Sequence, residues 1–195
     1  MATPEETLDK MLKDFEAANK TATTNPGKNF RDLIENTPQL KADILESIKK
    51  GNLDKFEAIS GTSPLGYYDA TGKALAVSAD QLNDSATKTQ TANSIRFTLG
   101  HEIQHGVNRQ DILDQDKKLT DQAKATAKTP SPHDYTDELK TYNQTSRKIE
   151  TTAEIAGFNT LASYVTAKNP KATLKDLYDA SPDDMKMYIK QDLSV

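Results

Sequence analysis

The segment His101-Glu102-Ile103-Gln104-His105 restricts the fold of this chain more than any other. Leu99, Ile103 and Val107 flank it at helical spacing, so the helix that carries it has one side packed in a core. The two histidines stand four residues apart, roughly 40° apart around a helix axis, and face the same way. Polar groups placed on a helix packed in a core need a reason to be there. Two of the chain's three histidines lie in this one turn.

The spacing also defines a chemistry. His101 and His105 can reach one zinc ion, and Glu102, on the adjoining part of the face, can reach a water there and take its proton. Zinc needs a third protein ligand if water is to keep the fourth position. Glu150 and Glu154, four apart in Glu150-Thr151-Thr152-Ala153-Glu154, supply candidates on a later helix. With Glu150 as ligand, Glu154 sits one turn on and can accept a hydrogen bond from a ligand imidazole, fixing its tautomer. Glu154 and His133 remain alternatives for the third ligand. His133, Tyr135 and Tyr142 are candidates for stabilising an oxyanion. Tyr67 and Tyr68 read as strand residues with one face packed.

Composition narrows the remaining classes. At 195 residues and 21.5 kDa the chain suits one domain with a real core. A net charge of -4 leaves no basic excess for phosphate backbones, which argues against nucleic acid as a partner. With no cysteine, disulfides, thiol catalysis and Cys-type metal sites are excluded. The longest aliphatic run, Ala74 to Val77, is far short of the roughly 18 residues of a membrane span. Glycine-rich phosphate loops and a G-x-S-x-G elbow are missing. The acidic start Met1 to Glu6 lacks the order of a signal peptide, so the expected location is the producer's cytoplasm or an export route other than Sec.

Along the chain, Thr3, Pro4 and Glu6 predict a capped helix with a stripe of Leu8, Met11, Leu12 and Phe15, either a free arm or a docked helix over residues 1–20. Thr21 to Gly27 reads as a linker. A short helix holds Phe30, Leu33 and Ile34, and another opens at Thr37-Pro38, buries Leu40, Ile44, Leu45 and Ile48, and ends at Gly51. Gly66 to Asp69 and Lys73 to Ser78 read as strand, turn, strand, the only clear β segment. Ser78 and Gln81 suggest a capping box. A long helix spans about Thr89 to His105 or beyond, and a polar helix, solvated or folded as a lid, spans about Gln110 to Lys128. After the break at Thr129 to Pro132, Asp134 can cap a helix carrying Leu139, Tyr142, Ile149, Ala153, Leu161 and Tyr164, up to Asn169-Pro170. Two short helices follow, the second opened by Ser181-Pro182.

The H-E-x-x-H of His101 to His105, followed by E-x-x-A-E at Glu150 to Glu154, resembles the gluzincin metallopeptidases. The resemblance implies a mainly α (α+β), zincin-like helical domain over residues 28–195, with a small β-hairpin or sheet before the H-E-x-x-H helix. It implies Zn2+ on His101, His105 and Glu150, Glu102 as catalytic base, and Glu154 as support. The strand at 66–78 would line the cleft and pair with an extended peptide. Two departures stand out: Glu154 occupies a place where many members have Asp, and 44 residues separate His105 from Glu150. The wider pattern G-Y-Y-D…G-K and L-G-H-E-x-Q-H, over about residues 30–168, is similar to small metallopeptidase domains of bacterial toxins and secreted effectors. That similarity implies a peptide or protein substrate, peptidoglycan stem peptides among them, and an immunity protein or secretion partner; the alternative to an enzyme is a non-catalytic helical binding module whose metal is structural.

Overall fold

The computed structural model of the chain describes residues 2–183 and 185–189. It is mainly helical with one small sheet. Three N-terminal helices come first: α1 (Pro4–Asn19), α2 (Pro26–Glu35) and α3 (Pro38–Lys49). The expected box caps α1, with Thr3 Oγ1 accepting from the Glu6 N–H and the Glu6 carboxylate accepting from the Thr3 N–H. Leu8, Met11, Leu12 and Phe15 of α1 are buried in the same cluster as Phe30, Leu33, Ile34, Leu40 and Ile44. Leu45 and Ile48 pack against its edge, half-buried. The presumed linker is shorter than its turn-forming residues suggest. Asn25 caps α2 by accepting from the Lys28 N–H, and Pro26 and Gly27 are already buried helix where α2 crosses α1 at Glu16.

The aromatic centre of this cluster is Phe30, whose ring lies 5.1 Å from that of Phe15 and 4.9 Å, edge-on, from that of Phe56. Phe30→Ala is expected to lower the free energy of unfolding by about 3–5 kcal/mol, read from denaturant midpoints at constant slope.

The sheet has three strands, β1 (Lys55–Ile59), β2 (Gly66–Asp69) and β3 (Ala74–Ser78), in the order β1-β3-β2. β2 and β3 form the expected antiparallel hairpin. β1 is an addition to the sequence reading: it pairs in parallel with β3, Lys55 opposite Ala74 through Ile59 opposite Ser78. Of its residues only Phe56 is buried, so its pattern lacks the alternation that marks a strand. Central β3 is buried throughout, which suits its run of small residues. Ser78 caps α4 (Ala79–Ser85) by accepting from the Gln81 N–H. The capping box expected there is only half made, because the Ser78 N–H is given to the Leu65 carbonyl.

Three long helices complete the chain: α5 (Thr89–Val107), α6 (Arg109–Thr126) and α7 (Thr136–Lys168). α5 and α7 cross antiparallel in close contact. A Cβ on Gly100 would lie 2.3 Å from Thr160 Oγ1, and one on Gly157 would lie 2.9 Å from the Phe97 carbonyl oxygen. Only backbones without side chains approach so closely. The stripe expected on α7 divides in two. Ala153 and Leu161 are buried, whereas Leu139 is 50% exposed, because no residue of α7 before Ala153 is buried and α6 beside it has no buried residue either. α6 and this half of α7 form a hairpin extending from the body. Gln115 Nε2 donates to the Tyr142 carbonyl and to Ser146 Oγ, and Thr126 Oγ1 to Glu138. α7 starts at Thr136, with Asp134 accepting from the Thr136 N–H. The chain then forms α8 (Leu174–Ala180), and where a second short helix was expected after Ser181-Pro182 the described residues show a single 3-10 turn, Lys186–Tyr188. No described helix is long and apolar enough to cross a membrane.

Candidate metal centre

α5 carries both motif histidines on the side facing α7, while Leu99 and Ile103 on its other side are fully buried in the core. The rings meet edge-on with Nε2 atoms 3.2 Å apart. Glu150 Oε2, from α7, stands 3.5 Å from His101 Nε2 and 3.8 Å from His105 Nε2. Two imidazole nitrogens aimed at one another share at most one proton, and a carboxylate beside them adds only an acceptor. A cation complements all three. Donors held tetrahedrally at about 2.0–2.1 Å from one zinc stand about 3.3 Å apart, so the observed triangle fits that ion. His101, His105 and Glu150 are the one group of this kind among the described residues.

The remaining predicted residues fall into two sets. Glu154 Oε1 lies 3.7 Å from the other nitrogen of His101, Nδ1, on the side away from Glu150. Its second oxygen is buried without a partner. Glu102 Oε2 accepts a hydrogen bond of 3.0 Å from the Tyr68 backbone N–H. That N–H belongs to the edge strand β2, whose other side is paired with β3. By contrast, His133 and Tyr135 precede α7 at the tip of the α6–α7 hairpin. Fourteen helical residues, about 21 Å, separate Thr136 from Glu150. Neither residue reaches the histidine pair, and Tyr142 Oη is turned to Asp116 Oδ1 on α6 at 3.2 Å. The structure therefore removes His133 from the ligand alternatives and all three from the oxyanion candidates. The lid expected of residues 110–128 is likewise an extension alongside α7.

Burial sets the titration of the centre. It pushes the Glu102 carboxyl above the usual carboxylate range, against the downward pull of the Tyr68 N–H and His101, with Glu150 and Glu154 adding to the rise. It holds His105 below the ordinary histidine value, opposed by Glu150 and reinforced by His101. Neutral His105 is the form that binds a metal. Behind the site the Tyr68 ring lies over Gly106, and its hydroxyl donates to the Asn52 carbonyl at 2.5 Å. Burial pushes that phenol up to about 12.

Sequence reasoning passed over the Tyr68 N–H, since a main-chain donor carries no side-chain signature. It also passed over Gly100 and Gly157, whose signal lay in their flanking position: one precedes His101, the other follows Glu154 by three residues. Compared with known protein families, curated proteins and solved structures, the chain matches none.

Proposed function

We propose that this chain is a zinc-dependent hydrolase of amide bonds in peptides or proteins. The supporting observation is the triangle of His101, His105 and Glu150 with a half-buried carboxylate, Glu102, held beside it. When bound, zinc supplies Lewis acidity and makes water a stronger acid. His101, His105 and Glu150 hold the ion, and Glu154 orients His101 through Nδ1. Glu102 accepts the proton of the attacking water and passes it to the leaving amine. Its raised affinity for a proton suits a group that must both take and return one. The edge of β2 offers main-chain groups to an extended peptide. The narrower reading, a bacterial effector acting on peptidoglycan stem peptides and held in check by an immunity protein, rests on the similarity of short sequence patches alone.

The test is metal content by elemental mass spectrometry after zinc loading and exhaustive dialysis. About one zinc per chain is expected in the native protein. It should be lost in His101→Ala and sharply reduced in Glu150→Ala. A native chain that retains no metal overturns the proposal, and full occupancy in Glu150→Ala moves the third ligand to Glu154.

A further inference from the structure

We infer that the α6–α7 hairpin is a dimerisation element, one broad face of which packs on the same face of a second copy of this chain as an antiparallel four-helix bundle. This pairing is independent of the proposed activity. Two helices joined in a hairpin bury their apolar side chains only when something covers the pair. Among the described residues nothing does. α6 has no buried residue and α7 has none before Ala153. Yet a groove of about 450 Å³ runs between them, with half-buried Leu119, Tyr142 and Ile149 along it.

The wall that α7 gives this groove is less polar than its residue types suggest. Thr141, Thr145 and Thr152 line it. Their hydroxyls turn back to the carbonyls of Asp137, Thr141 and Lys148, four residues earlier, at 2.9, 3.0 and 2.9 Å. A hydroxyl satisfied within its own helix leaves the methyl group to face outward. The three threonines fall within about 40° of one another around the helix axis. Glu150 stands about 140–180° away, on the other side of α7, so a second copy on this face leaves the metal centre open.

Charge points to the occupant. The groove carries Asp111 and Lys118 from α6 and Glu138 and Lys148 from α7. Among the described residues none of the four has an opposite charge within 4.0 Å, although neighbouring Lys117 pairs with Asp121. On α6 the acid is nearer the body and the base nearer the tip, and on α7 the order is reversed. A two-fold axis crossing both helices at right angles, in the plane of the face, sets each acid against the base of the same helix in the second copy. Both pairs must then centre at one level of the hairpin. Asp111 and Lys118 centre between Asp114 and Gln115, and Glu138 and Lys148 centre on Asn143. Gln115 Nε2 donates to the Tyr142 carbonyl at 2.9 Å, so the two centres are level. One axis therefore makes two Asp111–Lys118 and two Glu138–Lys148 pairs between copies. Asp114, the remaining charge of the groove, lies on its rim one turn from Lys118. The body stands at one end of each hairpin, so this arrangement also keeps the two bodies apart. Two helices about 27 Å long and about 10 Å apart offer about 500 Å² per copy, about 1,000 Å² in all. That is the lower bound of a specific interface, which makes the dimer reversible.

The test is sedimentation equilibrium of the full chain from about 1 µM to about 1 mM. A monomer–dimer equilibrium is expected, weakening about tenfold or more between about 50 mM and about 500 mM salt as the exposed pairs are screened. Lys118→Glu brings acids together across the axis and Asp111→Lys brings bases together, so each variant alone should associate at least about tenfold more weakly. Mixed in equal amounts, the two variants should pair with each other. Asp111 of one then meets Lys118 of the other, and the introduced glutamate meets the introduced lysine. Both positions are exposed, so the fold should hold, which circular dichroism checks. A native chain that stays monomeric to about 1 mM overturns the inference. So does a dimer that both variants retain, which lies on another face, and so does a mixture that fails to associate, which breaks the two-fold register. Zinc content is expected to be native in both variants, so failure here leaves the proposed activity standing.

Discussion

Replacing Glu102 with glutamine is expected to lower kcat for peptide hydrolysis by about 10²–10⁴-fold, the usual contribution of a positioned base. KM and zinc content should stay near native values. The amide keeps the size of the carboxylate and an oxygen that can accept from the Tyr68 N–H, so the 3.0 Å anchor to β2 has a replacement. What glutamine lacks is the ability to take a proton. The measurement is steady-state hydrolysis of the best-cleaved peptide beside elemental analysis of the same preparation. Activity unchanged with zinc retained would mean that the metal is structural. Activity and zinc lost together would mean that Glu102 organises the centre instead of acting on substrate.

The second large effect is expected from a residue without a side chain. Gly100→Ala places a methyl 2.3 Å from Thr160 Oγ1 and 2.5 Å from Thr160 Cβ, far inside contact distance. Neither helix can absorb this locally, since Thr160 is fully buried, so α7 must move off α5. Overpacking of this kind costs about 3 kcal/mol at the upper end of its usual range. The same displacement carries Glu150 and Glu154 away from His101, and zinc affinity should fall about 10- to 100-fold. Thermal unfolding and competition with a chromophoric chelator read the two effects separately. Thr160→Gly in the Gly100→Ala background removes the opposing Cβ and should restore most of the zinc affinity, although a helical glycine itself costs about 1 kcal/mol. A variant that loses stability but binds zinc normally would show that the crossing does not set the geometry of the centre.

The parts of this molecule legible in its sequence share a physical cause. Helices announce themselves through local chemistry. Thr3 and Glu6 cap α1, and Leu8, Met11, Leu12 and Phe15 repeat with the period of the face they bury. His101, His105, Glu150 and Glu154 were readable for the same reason, as four-residue spacings put each pair on one helix face. What escaped was decided between elements. Lys55 to Ile59 is a strand because β3 offers it a parallel partner, not because its side chains alternate. Tyr142 and Leu139 have the spacing of a core stripe, yet their helix enters the core only at Ala153. His133 was a plausible ligand by residue type alone, and only the length of α7 shows how far away it lies.

That length has a consequence of its own. α7 is one unbroken helix of 33 residues, about 50 Å of rod, with its latter half clamped in the body and its first half standing in water beside α6. Mutations on the outer half perturb few buried contacts, whereas those on the inner half disturb the crossing that sets Glu150 and Glu154. The fold thus separates what can drift from what cannot along a single helix. Single substitutions can therefore accumulate at the tip while the residues of the candidate metal centre stay in place.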